Sequence, residues 1–153
     1  MEILIDVAAA GPDDYAWCAR VMASSEPWIT LRRDEAACSA ALRRPGNELF
    51  VARRRESGLP AGFILLAPYG LAASPYIASV AVAAEARGQG AGSQLLQFAE
   101  QRFHGREHLF LLVSSFNKQA QGLYRRHGYE QVGELKDYCV AGHSELILHK
   151  ALA

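Results

Sequence analysis

Between Arg87 and Gly92 the chain reads RGQGAG, with glycine at every second position. The apolar stretch Tyr76–Val82 (YIASVAV) precedes it, and Leu95, Leu96, Ala99 and Phe103 follow at helical core spacing. Strand, glycine loop and helix in that order restrict the local fold to a tight turn feeding a helix N-terminus. Glycine there costs backbone entropy and adds no side chain to pack. A helix start exposes unpaired N–H groups and a partial positive charge, and phosphates sit there readily when no Cβ intervenes. Arg87 adds a fixed cation beside them. The loop is therefore read as an anion site, with a ligand-free tight turn as the plain structural alternative.

The spacing excludes two common phosphate loops. GxxxxGK[ST] is absent, and Ser93 stands where GxGxxG needs its third glycine. A dinucleotide oxidoreductase, which would bind NAD, is thus a weak rival.

The remaining chain supplies a mixed set of elements. Glu2–Val7 alternates as a strand. Asp13–Ser25 reads as a helix with Trp17, Val21 and Met22 inward, and Arg32–Arg44 as a second with Ala36, Ala40 and Leu42 inward. Glu48–Glu56 and Ala61–Ala67 read as a hairpin across Ser57-Gly58-Leu59-Pro60. His108–Ser115 is almost wholly apolar, as a central strand covered on both faces should be. Asn117–His127 is a short helix closed by Gly128, and Tyr129–Tyr138 with His143–Lys150 forms a closing antiparallel pair. The order β-α-α-β-β-β-α-β-α-β-β predicts an α/β fold, a central mixed sheet flanked by helices, in one domain over residues 1–153.

Half of the 153 residues are apolar, enough for one well-filled core, and 16 acidic residues balance 16 basic ones. Neither a nucleic-acid partner nor a membrane surface is expected. Cys18, Cys38 and Cys139 form no CxxC pair, so they read as the free thiols of a reducing cytoplasm, with no metal site. The N-terminus lacks the basic and apolar regions of a signal peptide. The run Arg53-Arg54-Arg55 reads as a solvated strand edge.

A second block is NKQAQGLYRRHGY, Asn117 to Tyr129. With Val80-Ala81-Val82 and the Arg87, Gly90, Gly92 pattern, it resembles the signature of the GNAT superfamily of acyl-CoA-dependent N-acyltransferases. The two blocks stand in that superfamily's order, and the resemblance extends over nearly the whole chain. It implies a GNAT-like fold and an acetyltransferase that moves an acetyl or short acyl group from acetyl-CoA to a primary amine, by direct attack through a tetrahedral intermediate. It also implies a splayed strand at Val80, Ala81 and Val82 whose backbone pairs with the pantetheine arm. Gly88, Gln89, Gly90, Ala91 and Gly92, beside Arg87, would hold the pyrophosphate. Asn117 would contact the cofactor or cap its helix. Tyr124 would contact the cofactor and protonate the departing thiolate, or pack on the sheet.

Some relatives carry a glutamate where this chain has Leu112. Candidate bases elsewhere are Glu26, Asp137, His143 and Glu145, beside deprotonation through water. Trp28 and Tyr138 are candidate walls of the acceptor site, or rim packing. The acceptor would be a small-molecule or peptide amine, and the closing hairpin offers an edge for a homodimer. The alternative function is an acyl-CoA-binding sensor or regulatory module without turnover, which the leucine at 112 favours and Tyr124 opposes.

Overall fold

The computed structural model describes residues 2–152. Seven strands form one sheet: β1 (Ile5–Ala9), β2 (Glu48–Arg54), β3 (Pro60–Leu71), β4 (Ser74–Val82), β5 (His108–Ser114), β6 (Glu130–Leu135) and β7 (Glu145–Ala151). Their spatial order is β1-β2-β3-β4-β5-β7-β6. The first four make an antiparallel meander, β4 meets β5 in parallel, and β5, β7 and β6 return antiparallel. Helices α1 (Asp14–Ala23) and α2 (Glu35–Leu42) join β1 to β2, while α3 (Ala91–Arg102) and α4 (Lys118–Arg126) flank β5 in sequence. The expected element order holds, with one added short 3₁₀ turn at Ala84–Ala86.

Both faces of the sheet's centre are covered, which is why β3 runs buried from Ala61 to Leu66 instead of alternating. One core joins Ile64, Leu66, Ile77, Leu109, Leu111, Leu148 and Tyr129 to Leu95, Leu96 and Ala99 of α3. The other joins Val51, Phe63 and Leu65 to Cys18 and Met22 of α1 and to Cys38 and Leu42 of α2.

Several boundaries and faces differ from the sequence reading. β1 begins at Ile5 and runs through Ala9, later than Glu2–Val7, because its partners are Phe50 to Arg54. In α1 the buried face is Cys18, Ala19 and Met22, while Trp17 and Val21 lie at its half-buried edge. In α2 Cys38 and Leu42 are buried and Ala36 and Ala40 are exposed. Alanine-rich helices carry little periodic signal, so contact with the sheet sets which side turns in. The α2 boundary follows its cap, Asp34, whose Oδ1 accepts from the Ala37 N–H at 2.8 Å. The strand expected to reach Tyr138 ends earlier: β6 stops at Leu135, and residues 136–144, Tyr138 among them, form a loop.

Candidate active site

The site begins with a fault in the sheet. β4 pairs with β3 through Val82–Gly62, Ala81–Phe63, Val80–Ile64 and Ser79–Leu65, and the next pair is Ile77–Leu66. Ala78 is therefore an extra residue on β4. Such a bulge bends its strand and increases the local twist. On its other side β4 pairs with β5 at Tyr76–Phe110 and Ile77–Leu111 alone. From Ala78 to Val82 that edge of β4 is open, and those five residues are half-buried. The two strands form a V with its mouth between Ala78–Val82 and Leu112–Ser114.

The glycine loop closes the end of β4. Gly90 is the N-cap of α3, at φ 88° in the left-handed region that glycine occupies without strain. The first α3 hydrogen bond runs from the Gln94 N–H to the Gly90 carbonyl at 3.2 Å. The N–H groups of Gly88, Gln89, Gly90, Ala91, Gly92 and Ser93 find no acceptor among the described residues. Six successive amides without a protein acceptor stand at or just before a helix start, where an anion can be held. The Ile3 N–H donates to the Gln89 carbonyl at 2.8 Å and the Gln94 side chain donates to the Ile3 carbonyl at 2.8 Å, so the segment ahead of β1 pins the loop. His127 Nε2 lies 2.9 Å from Ser93 Oγ, a contact between the end of α4 and the start of α3 that the sequence did not suggest.

Arg87, expected as a fixed cation beside these amides, has protein partners for its guanidinium. Its Nε donates to the Val82 carbonyl at 3.1 Å and its Nη2 to Ser25 Oγ at 3.1 Å. It thus ties the end of β4 to the end of α1. Beside it, Trp17, Val21, Ser25, Ala83 and Glu85 line a cleft of about 240 Å³. Gly92 has a packing reason of its own: a Cβ there would stand 3.1 Å from Leu123 Cδ2, so α3 and α4 need its absence to sit close.

Asn117 is the N-cap of α4, its Oδ1 accepting from the Ala120 N–H at 3.3 Å. Its capping role is therefore present, and its amide nitrogen has no partner among the described residues. The buried Gln121 donates to the carbonyls of Ser114 and Ser115, each at 3.0 Å, and locks α4 to the end of β5. Nothing in the sequence spacing marked Gln121.

Tyr124 is buried, with its ring edge-on to Tyr129 at 6.1 Å between centroids. Its hydroxyl has no hydrogen-bond partner among the described residues. No buried side-chain nitrogen or oxygen among them goes unpaired. The Tyr124 hydroxyl must therefore reach open space although its ring does not. Burial, with Tyr76 as a lesser cause, pushes this phenol well above its ordinary range, so it stays protonated at neutral pH.

At the closed end of the V, where β4 still pairs with β5, Tyr76 lies among several ionisable groups. Its phenol is pushed up to about 12 by burial first, then by Glu145, Tyr138 and Cys139, with Arg44 acting against them. Tyr138 is exposed on the β6–β7 loop, whereas Trp28 is half-buried and packs on the core beneath α1 and α2. Arg33 Nη2 lies 4.0 Å from Cys139 Sγ, so the segment before α2 does meet the β6–β7 loop. Of the four candidate bases, Glu26 accepts from the N–H and hydroxyl of Thr30, and Asp137 accepts from the Gly142 N–H at 2.7 Å. Both serve turns. His143 packs edge-on against Phe116 at 4.8 Å, and Glu145 is buried. No group of three or more metal-ligating side chains comes together among the described residues, and no helix there is long and apolar enough to cross a membrane.

The model of the acetyltransferase (GNAT) family matches residues 13–129. A GNAT-family protein from Desulfovibrio desulfuricans superposes on 98% of this chain and 100% of its own, with a TM-score of 0.81 at 21% identity. Nourseothricin acetyltransferase is 30% identical over 71% of this chain and 67% of its own, with a TM-score of 0.63. An aminoglycoside 6′-N-acetyltransferase solved with coenzyme A matches over 97% of both chains, with a TM-score of 0.73 at 14% identity, a likeness of fold. No curated protein sequence matches the chain.

Proposed function

The chain belongs to the GNAT acetyltransferase family, and from that premise we propose that it is a single-domain N-acetyltransferase, acting in the cytoplasm, that passes an acetyl or short acyl group from acetyl-CoA to a primary amine. The observation that carries this reading is the junction of the open β4 edge with the unpaired amides of residues 88–93. An extended, amide-bearing arm ending in a pyrophosphate needs both a strand to pair with and an anion site at that strand's end. The free thiols of Cys18, Cys38 and Cys139 favour a reducing compartment.

In this proposal the backbone of Val80, Ala81 and Val82 pairs with the pantetheine arm. The amides of Gly88 to Gly92 hold the pyrophosphate, and Arg87 fixes the loop from behind. Asn117 offers its free amide nitrogen to the same arm. The bound thioester supplies an activated acyl carbon, and attack by the amine gives a tetrahedral intermediate. Tyr124, whose hydroxyl stays neutral, gives a proton to the leaving sulfur. Trp28 and Tyr138 flank the acceptor entrance, Tyr138 as the exposed wall and Trp28 as its packed floor.

The test pairs coenzyme A calorimetry with thiol release from acetyl-CoA across a panel of primary amines. Binding together with turnover on at least one amine supports the reading. Binding without turnover on any amine replaces the transferase by an acyl-CoA sensor, and absence of binding removes both.

A further inference from the structure

Glu145 is, among the described residues, the one buried charged side chain, and the fold does not use it for an ion pair. A buried carboxylate with no cation partner costs stability unless something compensates. Its single hydrogen bond comes from Ser114 Oγ to Oε2, at 2.7 Å. Oε1 has no partner, and no buried polar side-chain atom among the described residues is left unpaired. Oε1 therefore reaches open space.

The sheet register shows which space. Glu145 begins β7 and stands opposite Ser114 of β5, and Ile147 stands opposite Leu112. Alternation puts Leu112, Ser114, Glu145 and Ile147 on one face. That face lies at the mouth of the V, where β5 has parted from β4. The carboxylate acts on Tyr76, the last residue but one of β4 to pair with β5. Leu112 and Ile147 bring no ionisable group to this face.

The geometry points to Glu145 as the catalytic residue that docks the acceptor's ammonium at Oε1 and takes its proton. This assignment rests on the acyltransferase reading above. The acceptor arrives mostly protonated at neutral pH, because alkyl amines titrate near pH 10 (about 10.4 for lysine) and α-amines near about 8. One N–H proton passes to Oε1, and the freed lone pair forms the C–N bond at the thioester carbonyl. The C–S bond breaks and the sulfur takes the Tyr124 proton. The acylated nitrogen sheds its surplus proton, which restores Tyr124 through water. Glu145 gives its proton to solvent as the amide leaves, so each turnover releases one proton.

The groups facing Glu145 are Tyr76 from β4, Ser114 from β5, Arg33 from the segment before α2 and His143 from the β6–β7 loop. Burial raises the carboxyl above its ordinary range, and Ser114, Arg33 and His143 pull it part of the way back. A raised carboxyl is a better proton acceptor than an ordinary one.

The experiment is the pH profile of kcat/KM, using whichever of butylamine, benzylamine, glycinamide and an alanyl tripeptide the full-length protein acylates. The wild type should lose activity on the acid side as the carboxyl protonates. Glu145→Gln should lose about 10²- to 10⁴-fold in kcat/KM near neutral pH, keep its coenzyme A affinity, and lose that acid limb. Ser114→Ala removes the bond that lowers the carboxyl's pKa, so the limb should move to higher pH. His143→Gln should keep a limb, since the imidazole is not its source. A Glu145→Gln variant with the wild-type rate and limb overturns the assignment, as does a limb that stays put in Ser114→Ala. If the wild type binds coenzyme A yet acylates none of these amines, the acyltransferase reading has failed and takes the assignment with it.

Discussion

Tyr124 combines a buried ring with a hydroxyl that has no hydrogen-bond partner among the described residues. Tyr124→Phe keeps the ring packing and removes only the proton donor. It should fold normally and bind coenzyme A as the wild type does, while kcat falls. Loss of a positioned acid spans roughly 10²- to 10⁴-fold, and a thiol leaving group, titrating at about 8.5, argues for the lower half. Steady-state kinetics beside a coenzyme A titration checks this, and an unchanged kcat reduces Tyr124 to packing. Arg87 makes a different case. Its guanidinium already engages Val82 and Ser25, so Arg87→Ala should loosen the loop and not remove a phosphate partner. The expected loss of coenzyme A affinity is about three- to tenfold and insensitive to salt. A loss that shrinks at high ionic strength would show a direct phosphate contact instead.

At the scale of elements, the β4–loop–α3 unit depends on two glycines for different reasons. Gly90 needs a left-handed backbone, and an L-residue there costs about 1–2 kcal/mol. Gly46 has nearly the same φ, 91°, in a turn after α2 with open space around it. Gly90→Ala and Gly46→Ala should therefore lose similar stability in chemical denaturation. Coenzyme A affinity should fall about tenfold in Gly90→Ala alone, and equal affinities in the two variants would remove the loop as the pyrophosphate site. Gly62 is bound by contact: a Cβ would stand 2.7 Å from the Ala81 carbonyl oxygen. Gly62→Ala must push β4 outward at the strand proposed to pair with the cofactor. It should cost about 1–3 kcal/mol and weaken coenzyme A binding, both readable by melting with and without ligand. Binding left intact in a destabilised variant would mean that β4 absorbs the shift away from the site.

For the whole molecule, the buried carboxylate of Glu145 links function to stability. Its pKa is higher folded than unfolded, chiefly through burial. The folded state therefore holds the proton more tightly, and stability is lost as pH rises through the folded pKa. Below the unfolded value, about 4.3, the penalty is absent. Glu145→Gln should accordingly melt at or above the wild-type temperature near neutral pH, with the difference closing by about pH 4. A variant that melts lower at neutral pH would make the carboxylate a structural group. A gain in melting temperature together with a loss of turnover is the pattern of a site that holds a charge at the expense of the fold.

The architecture was legible because its signals are local. Alternation, an apolar run at His108–Ser115, and a cap at Asn117 each report on a few neighbouring residues, as does glycine before a helix. The helix α3 showed its buried face correctly in Leu95, Leu96, Ala99 and Phe103, since large apolar residues at helical spacing leave one choice. Alanine-rich α1 and α2 left several, and packing against Phe63 and Leu65 decided them. The glycine loop and Tyr124 were found as sequence blocks, but their geometry was not. Whether Arg87 meets an anion or a carbonyl depends on where α1 ends in space. The V depends on a one-residue bulge at Ala78, visible only once β3 and β4 are paired. Glu145 is set apart from Glu26 and Asp137 by burial and by Ser114, 31 residues earlier in the chain. Sequence fixes what each residue can donate, accept or bury within a turn or a strand. Tertiary structure decides which groups lose their water and which distant partners they meet, and those two quantities set the chemistry of the site.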